Sequence, residues 1–151
     1  MQWQCLHFEQ LSVHQLYDLL KLRSDVFVVE QTCVYPDLDN HDRHTGTRHL
    51  LGYQGDKLVA YLRLLPAGVT YDHISIGRVA TAPDARAQGL GHQLLSQGLQ
   101  TAEQAWPGHT IEIGAQSHLQ HYYGRYGFVA CSEEYLEDGI PHIDMRLSKS
   151  A

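Results

Sequence analysis

The residues Arg86-Ala87-Gln88-Gly89-Leu90-Gly91 have the form R-x-x-G-x-G, and they stand between a strand-like run and an amphipathic helical run. That junction has a chemistry of its own. The first backbone N–H groups of a helix have no carbonyl partners, and the helix dipole adds partial positive charge to them. Glycine carries no Cβ, so an anion can come close to the main chain. The segment therefore suits a diphosphate. A loop that needs glycine only for its turn is the plain alternative. Other phosphate loops fit worse. A nucleotide P-loop has Lys followed by Ser or Thr after its last glycine, whereas Gly91 is followed by His92-Gln93. A dinucleotide fingerprint needs a third Gly or Ala where this chain has Leu94.

Other reactive side chains carry less. Cys5, Cys33 and Cys131 are far apart and form no C-x-x-C pair. A nucleophilic cysteine would need His and Asn or Asp partners in space. His41, Asp42 and His44 match no zinc spacing, so no metal is expected. Asp37, Asp39 and Asp42 could attract a cationic amine, but the first expectation for them is a solvated loop. Arg23, Arg48, Arg63 and Arg78 could meet phosphates or substrate, or form salt bridges at the edge of the core.

The elements that must position these groups follow from periodicity and turn residues. A short strand is expected over 3–8. Ser12 and Gln15 have capping-box spacing, and Leu16, Leu19, Leu20, Arg23 and Phe27 continue a helical stripe. The β-branched run Val26-Phe27-Val28-Val29 marks where that helix weakens. Residues 32–47 read as a long loop with room for a short helix, and such loops are often functional. Strands over 48–53 and 57–64 flank the turn Gly55-Asp56, and another strand covers 74–80. Pro83 then breaks the chain. A helix with Leu90, Leu94, Leu95, Leu99 and Ala102 on its apolar face ends at Trp106-Pro107-Gly108. A buried strand over 111–115, a short helix over 117–125, a strand from Gly127-Phe128 and a last strand over 142–147 complete a mixed α/β chain.

The composition narrows the classes. At 151 residues, one domain is the expectation. Hydrophobic residues make up 43% and charged residues 19%, which argues against disorder. Seventeen acidic and eleven basic residues give a net charge of −6, which disfavours nucleic acid and anionic membranes as partners. No apolar run reaches the roughly 20 residues of a membrane span, and the first residues lack the blocks of a signal peptide. With three cysteines, odd in number and far apart, a reduced, cytoplasmic location fits best. Eleven histidines are more than this reading explains.

Ile76-Gly77-Arg78-Val79-Ala80-Thr81, Pro83, the R-x-x-G-x-G loop and the Leu94-Leu95 helix resemble the acetyl-CoA motif of the GNAT acyltransferases. Tyr122-Tyr123-Gly124-Arg125-Tyr126-Gly127-Phe128 resembles that family's F-Y-x-x-x-G-F motif. The two occur in the right order with a strand between them. Four further pieces resemble the ElaA-like branch: Val26-Phe27-Val28-Val29-Glu30-Gln31, Arg48-His49, Ala115-Gln116-Ser117-His118-Leu119-Gln120 and Glu137-Asp138-Gly139-Ile140-Pro141-His142. The likeness spans essentially the whole chain.

The resemblance implies a GNAT fold over residues 1–151: α/β, with a central, mostly antiparallel twisted sheet flanked by helices and a β-turn-α element for acetyl-CoA. It implies transfer of an acetyl group from acetyl-CoA to a primary amine, on a small molecule or a peptide, by direct attack on the thioester. Val79, Ala80 and Thr81 would offer backbone groups to the pantetheine arm. Arg86, Gln88, Gly89, Leu90 and Gly91 would surround the pyrophosphate with amides. Ala87 stands where the family often has Gly, and Gln116 where it often has Asn; Gln116 could still bond the cofactor arm. Tyr123 takes the position of the acid that protonates the leaving thiolate. The base is open among Glu30, His49, Asp72, His73, Ser75, Glu112 and His142, of which His142 follows a turn that the resemblance sets near the acceptor. The resemblance leaves room for a homodimer. The alternatives are a sensor that binds acyl-CoA without turnover and a structural subunit with a vestigial loop; Tyr123 and the intact glycine pair favour the enzyme.

Overall fold

Ser12 starts the first helix by the reciprocal bonding its spacing suggests. Its Oγ accepts the Gln15 N–H at 3.0 Å, and Gln15 Oε1 accepts the Ser12 N–H at 2.9 Å. Helix α1 spans Val13–Arg23. It does not stop at the β-branched run but loosens into a π-helical turn, Ser24–Glu30, a departure often found at functional sites. The structure, a computed structural model, describes residues 1–148, so the last three residues of the expected 1–151 unit lie outside the described residues.

Eight strands form one sheet: β1 (Gln2–Leu6), β2 (Arg48–Gln54), β3 (Lys57–Leu65), β4 (Ile74–Thr81), β5 (Ile111–Gln116), β6 (Val129–Ala130), β7 (Tyr135–Glu137) and β8 (Ile140–Leu147). The order is β1-β2-β3-β4-β5-β8-β6, with β7 also on β8, and every pair except β4–β5 is antiparallel. The expected mixed α/β sheet is therefore present. Strand β7 was not expected from the sequence, and β8 begins at Ile140 rather than 142.

Helix α2 (Leu90–Ala105) and short helix α3 (Gln120–Gly124) complete the fold. Strand β3 is buried from Leu58 to Leu65 because helices cover both its faces. Arg23 of α1 lies 5.8 Å over the Tyr61 ring, whereas a Cβ on Gly98 of α2 would stand 2.6 Å from Leu62 Cδ2. Neighbouring residues on a strand point to opposite faces, so α1 and α2 sandwich the sheet. Leu90, Leu94 and Leu95 of α2 are buried. Each buried leucine contributes about 1.5–3 kcal/mol, more than the ~1 kcal/mol of a side-chain cap. The helix can therefore leave its N-terminus open.

The loop 32–47 overturns one expectation. Asp37 and Asp42 are buried, Asp39 is partly so, and all three meet arginines rather than water. Arg23, fully buried, reaches Asp37 Oδ2 at 3.0 Å and Asp42 Oδ1 at 2.7 Å. Arg63 binds both oxygens of Asp39 at 2.8 Å and Asp42 Oδ1 at 3.0 Å. Arg78 reaches Asp37 Oδ1 at 2.8 Å and Asp39 Oδ2 at 3.4 Å. Three cations and three anions thus neutralise one another, buried at Arg23, Arg63, Asp37 and Asp42 and partly exposed at Arg78 and Asp39. Burial on its own pushes Asp39 up, but the bonds and charge of Arg63, with the charge of Arg78, outweigh it and hold the carboxyl down to about 2. Burial likewise raises Asp42, and Arg23 and Arg63 together pull it below the usual range. These aspartates are not available to a cationic substrate. Arg48 stands apart, stacked 5.3 Å over the Trp106 ring.

Arg78 also bends β4. Between the pairs Tyr61↔Ala80 and Arg63↔Gly77, β4 spends one residue more than β3, and Arg78 has φ +53°. Such a bulge kinks its strand, and a left-handed non-glycine residue costs on the order of 1–3 kcal/mol, which the ion pairs to Asp37 and Asp39 offset. Just before the bulge β4 parts from β5. Strand β4 pairs with β5 only at Ile74↔Ile111 and Ser75↔Glu112, so the β5-facing edge of β4 from Ile76 onward has no strand partner.

Asp42→Asn should destabilise the chain by roughly 3–5 kcal/mol in urea denaturation, because it leaves Arg23 and Arg63 short of a buried counter-charge. Since Asp39 and Asp42 titrate lower folded than unfolded, their contribution is complete above about pH 4 and lost as pH falls towards 2. The urea midpoint should drop over that window, less steeply in the variant.

Candidate functional site

The R-x-x-G-x-G loop follows the free edge of β4. Val79, Ala80 and Thr81 lie on that edge, and Arg86, Gln88, Gly89, Leu90 and Gly91 form the turn that starts α2. Gln88 and Gly89 are consecutive left-handed residues, with φ +68° and +73°. Successive residues of this kind turn their N–H groups towards a common concavity that suits anions. A Cβ on Gly89 would meet nothing within 4 Å, so its φ rather than crowding demands glycine. Gly91 has only the Tyr122 hydroxyl, 3.4 Å from where a Cβ would be. Helix α2 has no side-chain cap and no acidic residue in its first turn, so its N–H groups and positive dipole end stay uncompensated.

The Arg86 side chain is already engaged. Its guanidinium makes a two-pronged pair with Glu30 at 2.6 Å on both arms, and Nη2 donates to the Thr81 carbonyl at 3.0 Å. The hydrogen bonds from Arg86 hold the Glu30 carboxyl below its usual range. Glu30 is thus a partner for arginine and a poor proton acceptor.

Tyr123 is buried in α3, with its ring edge-on to Tyr122 at 5.3 Å and to Phe128 at 6.0 Å. Burial pushes its hydroxyl up to about 12. Among the described residues that hydroxyl has no hydrogen-bond partner. The hydroxyl is not among the fully buried atoms that lack a partner, so the ring is packed while the oxygen stays accessible.

Gln116 and His142 face each other across β5 and β8. Gln116 Nε2 donates to Gln31 Oε1 at 3.3 Å, which ties the open end of β5 to the end of the π-helical turn. His142 is buried. Its Nδ1 lies 2.7 Å from the Ile140 carbonyl, which can only accept, so Nδ1 carries the proton there. Nε2 is left to accept, 3.5 Å from Glu137 Oε2.

The other base candidates separate. His49 is fully buried between the Tyr61 hydroxyl (2.6 Å) and the Asp42 carbonyl (3.0 Å), and burial lowers its basicity. Glu112 is buried against Arg146 at 2.9 Å, on the paired stretch of β5. Ser75 is buried on β4, 3.4 Å from Thr70 Oγ1. Asp72 and His73 lie in the turn before β4.

One cluster escaped the sequence reading. The hydroxyls of Tyr71 and Tyr135 both donate to Asp144 Oδ1, at 3.2 and 2.5 Å, over Gly114 of β5. A glycine inside a strand was the one signal that could have pointed to it, since such a residue often marks close approach. Among the described residues no group of three or more His, Cys, Asp or Glu could hold a metal ion, and no helix is long and apolar enough to cross a membrane.

Comparison with known proteins agrees with this geometry. The profile of the acetyltransferase (GNAT) domain matches residues 26–149. Protein ElaA of Escherichia coli strain K12 is 47% identical over 145 residues, 96% of this chain and 95% of that protein. The crystal structure of Escherichia coli ElaA superposes with a TM-score of 0.90 at 46% identity, covering 97% of this chain and 99% of that one. An acyl-CoA N-acyltransferase from Pseudomonas aeruginosa superposes with a TM-score of 0.93 at 50% identity, with the same coverage of 97% and 99%. A strand that parts from its neighbour, an uncapped helix beyond a glycine turn, and relatives of nearly equal length on the same sheet lead to one assignment: the chain belongs to the GNAT acetyltransferase family.

Proposed function

We propose that residues 1–151 form one N-acetyltransferase domain that moves an acetyl group from acetyl-CoA to a primary amine. The family uses acyl-CoA donors, and the Pseudomonas aeruginosa relative is described as an acyl-CoA N-acyltransferase. The observation that carries the reading is the uncapped N-terminus of α2 behind two left-handed residues, next to the unpaired edge of β4. The amides of Gln88, Gly89, Leu90 and Gly91 suit the pyrophosphate. The free edge at Val79, Ala80 and Thr81 suits the pantetheine amides, and Gln116 could add a bond to the same arm. Arg86 serves through its backbone, because its side chain bridges Glu30 and Thr81.

The reaction needs a neutral amine. A free side-chain amine has a pKa near 10.4, so its proton must go to a base. His142 Nε2 is the acceptor supported best, because Nδ1 is committed to the Ile140 carbonyl and Glu137 can balance the imidazolium. The amine lone pair then forms the C–N bond at the thioester carbonyl. The tetrahedral intermediate collapses, the C–S bond breaks, and the sulfur leaves with the pair and takes a proton from Tyr123; the nitrogen, which still carries two protons after attack, gives one back to the Tyr123 oxygen as the neutral amide forms. A hydroxyl held at about 12 stays protonated across the neutral range, so the proton is present when the sulfur takes up charge.

Tyr123→Phe should lower kcat by about 100-fold or more while CoA affinity by calorimetry stays within about twofold; wild-type turnover would remove Tyr123 from the reaction. Gly89→Val forces a β-branched residue into left-handed backbone and should weaken CoA binding by about tenfold or more. His142→Ala should lower kcat about tenfold or more with CoA affinity within about twofold, and wild-type turnover rules out His142. The enzyme itself is tested by release of CoA thiol from acetyl-CoA over a panel of amines. CoA binding without release on any of them would point to a sensor.

A further inference from the structure

The buried or partly buried carboxylates Asp37, Asp39, Asp42 and Glu112 each meet an arginine, but among the described residues Asp144 meets no cationic side chain. It is half-buried on β8, two residues from His142 and on the same face of the strand. Both of its phenol partners bond the same oxygen, Oδ1, and Oδ2 has no hydrogen-bond partner among the described residues. The tyrosines come from separate segments: Tyr71 from the connection before β4, Tyr135 from β7. Burial, reinforced by the carboxylate, pushes both hydroxyls well above the ordinary tyrosine range, so they remain donors even in alkaline solution. Oδ1 is therefore saturated, and Oδ2 alone is left for a further donor.

The position of the cluster matters as much as its make-up. Gly114 lies two residues beyond Glu112, the last β5 residue paired to β4, so the cluster stands beside the opening between the strands. A Cβ on Gly114 would stand 2.9 Å from the Tyr71 hydroxyl and 3.2 Å from the Tyr135 hydroxyl, so the strand gives up a side chain to admit both phenols. The Tyr135 ring stacks on His142, with centroids 6.1 Å apart and planes at 24°. Glu137, on the same short hairpin, adds a second negative charge near His142 Nε2.

We propose that Asp144, held by Tyr71 and Tyr135, is the acceptor subsite: Oδ2 binds the ammonium of a primary amine at the mouth between β4 and β5. The proposal rests on the acyl-transfer reading and names the acceptor class. An anionic site of this kind favours an amine with no carboxylate beside it, because an adjacent carboxylate would face Asp144 and Glu137. Free α-amino acids are accordingly poor acceptors. A neutral alcohol of the same length offers Oδ2 one uncharged donor in place of a charged one and binds weakly. The bound ammonium lies close to His142, which takes the proton that must leave before attack.

Three matched probes test this on the CoA-saturated protein: n-pentylamine, its α-carboxylated analogue norleucine, and n-pentanol. Binding is followed by NMR titration, and acetyl transfer to n-pentylamine by CoA release. Wild type should bind n-pentylamine about tenfold or more tightly than either analogue. Asp144→Asn should weaken that binding about tenfold or more and raise KM for the amine more than it lowers kcat. Tyr135→Phe, a milder change, should shift both in the same direction. CoA affinity and thermal midpoint certify that each variant is folded, and Tyr135→Phe decides the matter should Asp144→Asn fail to fold. Equal binding of n-pentylamine to wild type and variants, or no preference over n-pentanol, overturns the subsite. Asp144-dependent amine binding without CoA release on n-pentylamine or any amine of the panel would leave the subsite standing and overturn acyl transfer; release that ignores Asp144 would do the reverse.

Discussion

Charge that is taken out of water has to be matched inside, and that requirement organises this fold. Arg23 on α1, Arg63 on β3 and Arg78 on β4 are side chains of regular elements, whereas Asp37, Asp39 and Asp42 belong to one loop. The loop has few apolar anchors of its own. It takes its shape from the geometry of three guanidinium groups, each binding more than one carboxylate or carbonyl oxygen. In return it holds Arg78 in a left-handed conformation that β4 would not adopt alone, on the stretch of β4 that has no β5 partner. An ion cluster on one face of the sheet thus fixes the bent stretch of β4 on which the proposed cofactor site depends.

The cradle itself works by omission. Helix α2 is held by its apolar face, so it can do without a cap, and an uncapped helix end is an anion site. In the proposed site Gln88 and Gly89 would contribute conformation and amides rather than side chains. The same economy appears at Gly114, where an absent side chain makes room for two phenols from elsewhere in the chain.

Local features were legible in the sequence and non-local ones were not. The Ser12–Gln15 cap, the turn at Gly55 and the stop at Trp106-Pro107-Gly108 are decided by residues a few positions apart, and the chain folds there as those residues suggest. The glycine turn and the two motifs also sufficed to indicate the family, because backbone chemistry at a helix start is a short-range property. The three aspartates were misread because their partners lie 14 to 41 residues away, and a charged residue does not announce whether it will be solvated or paired. Strand β7 is three residues long and too short to show a period. The bulge at Arg78 and the phenols over Gly114 depend on register between strands, which no single segment encodes.

The pairing of Arg86 with Glu30 bears on how fast a ligand arrives. Coenzyme A is a polyanion, and the chain carries a net charge of −6. Arg86, the cation of the cradle loop, presents itself as a nearly neutral pair with Glu30. Long-range attraction therefore does little to guide the ligand in, and the amides act only at contact distance. Association should then be slower than for a basic pocket and should quicken, rather than slow, when added salt screens the overall repulsion. Selectivity among phosphorylated molecules would rest on how long each one stays.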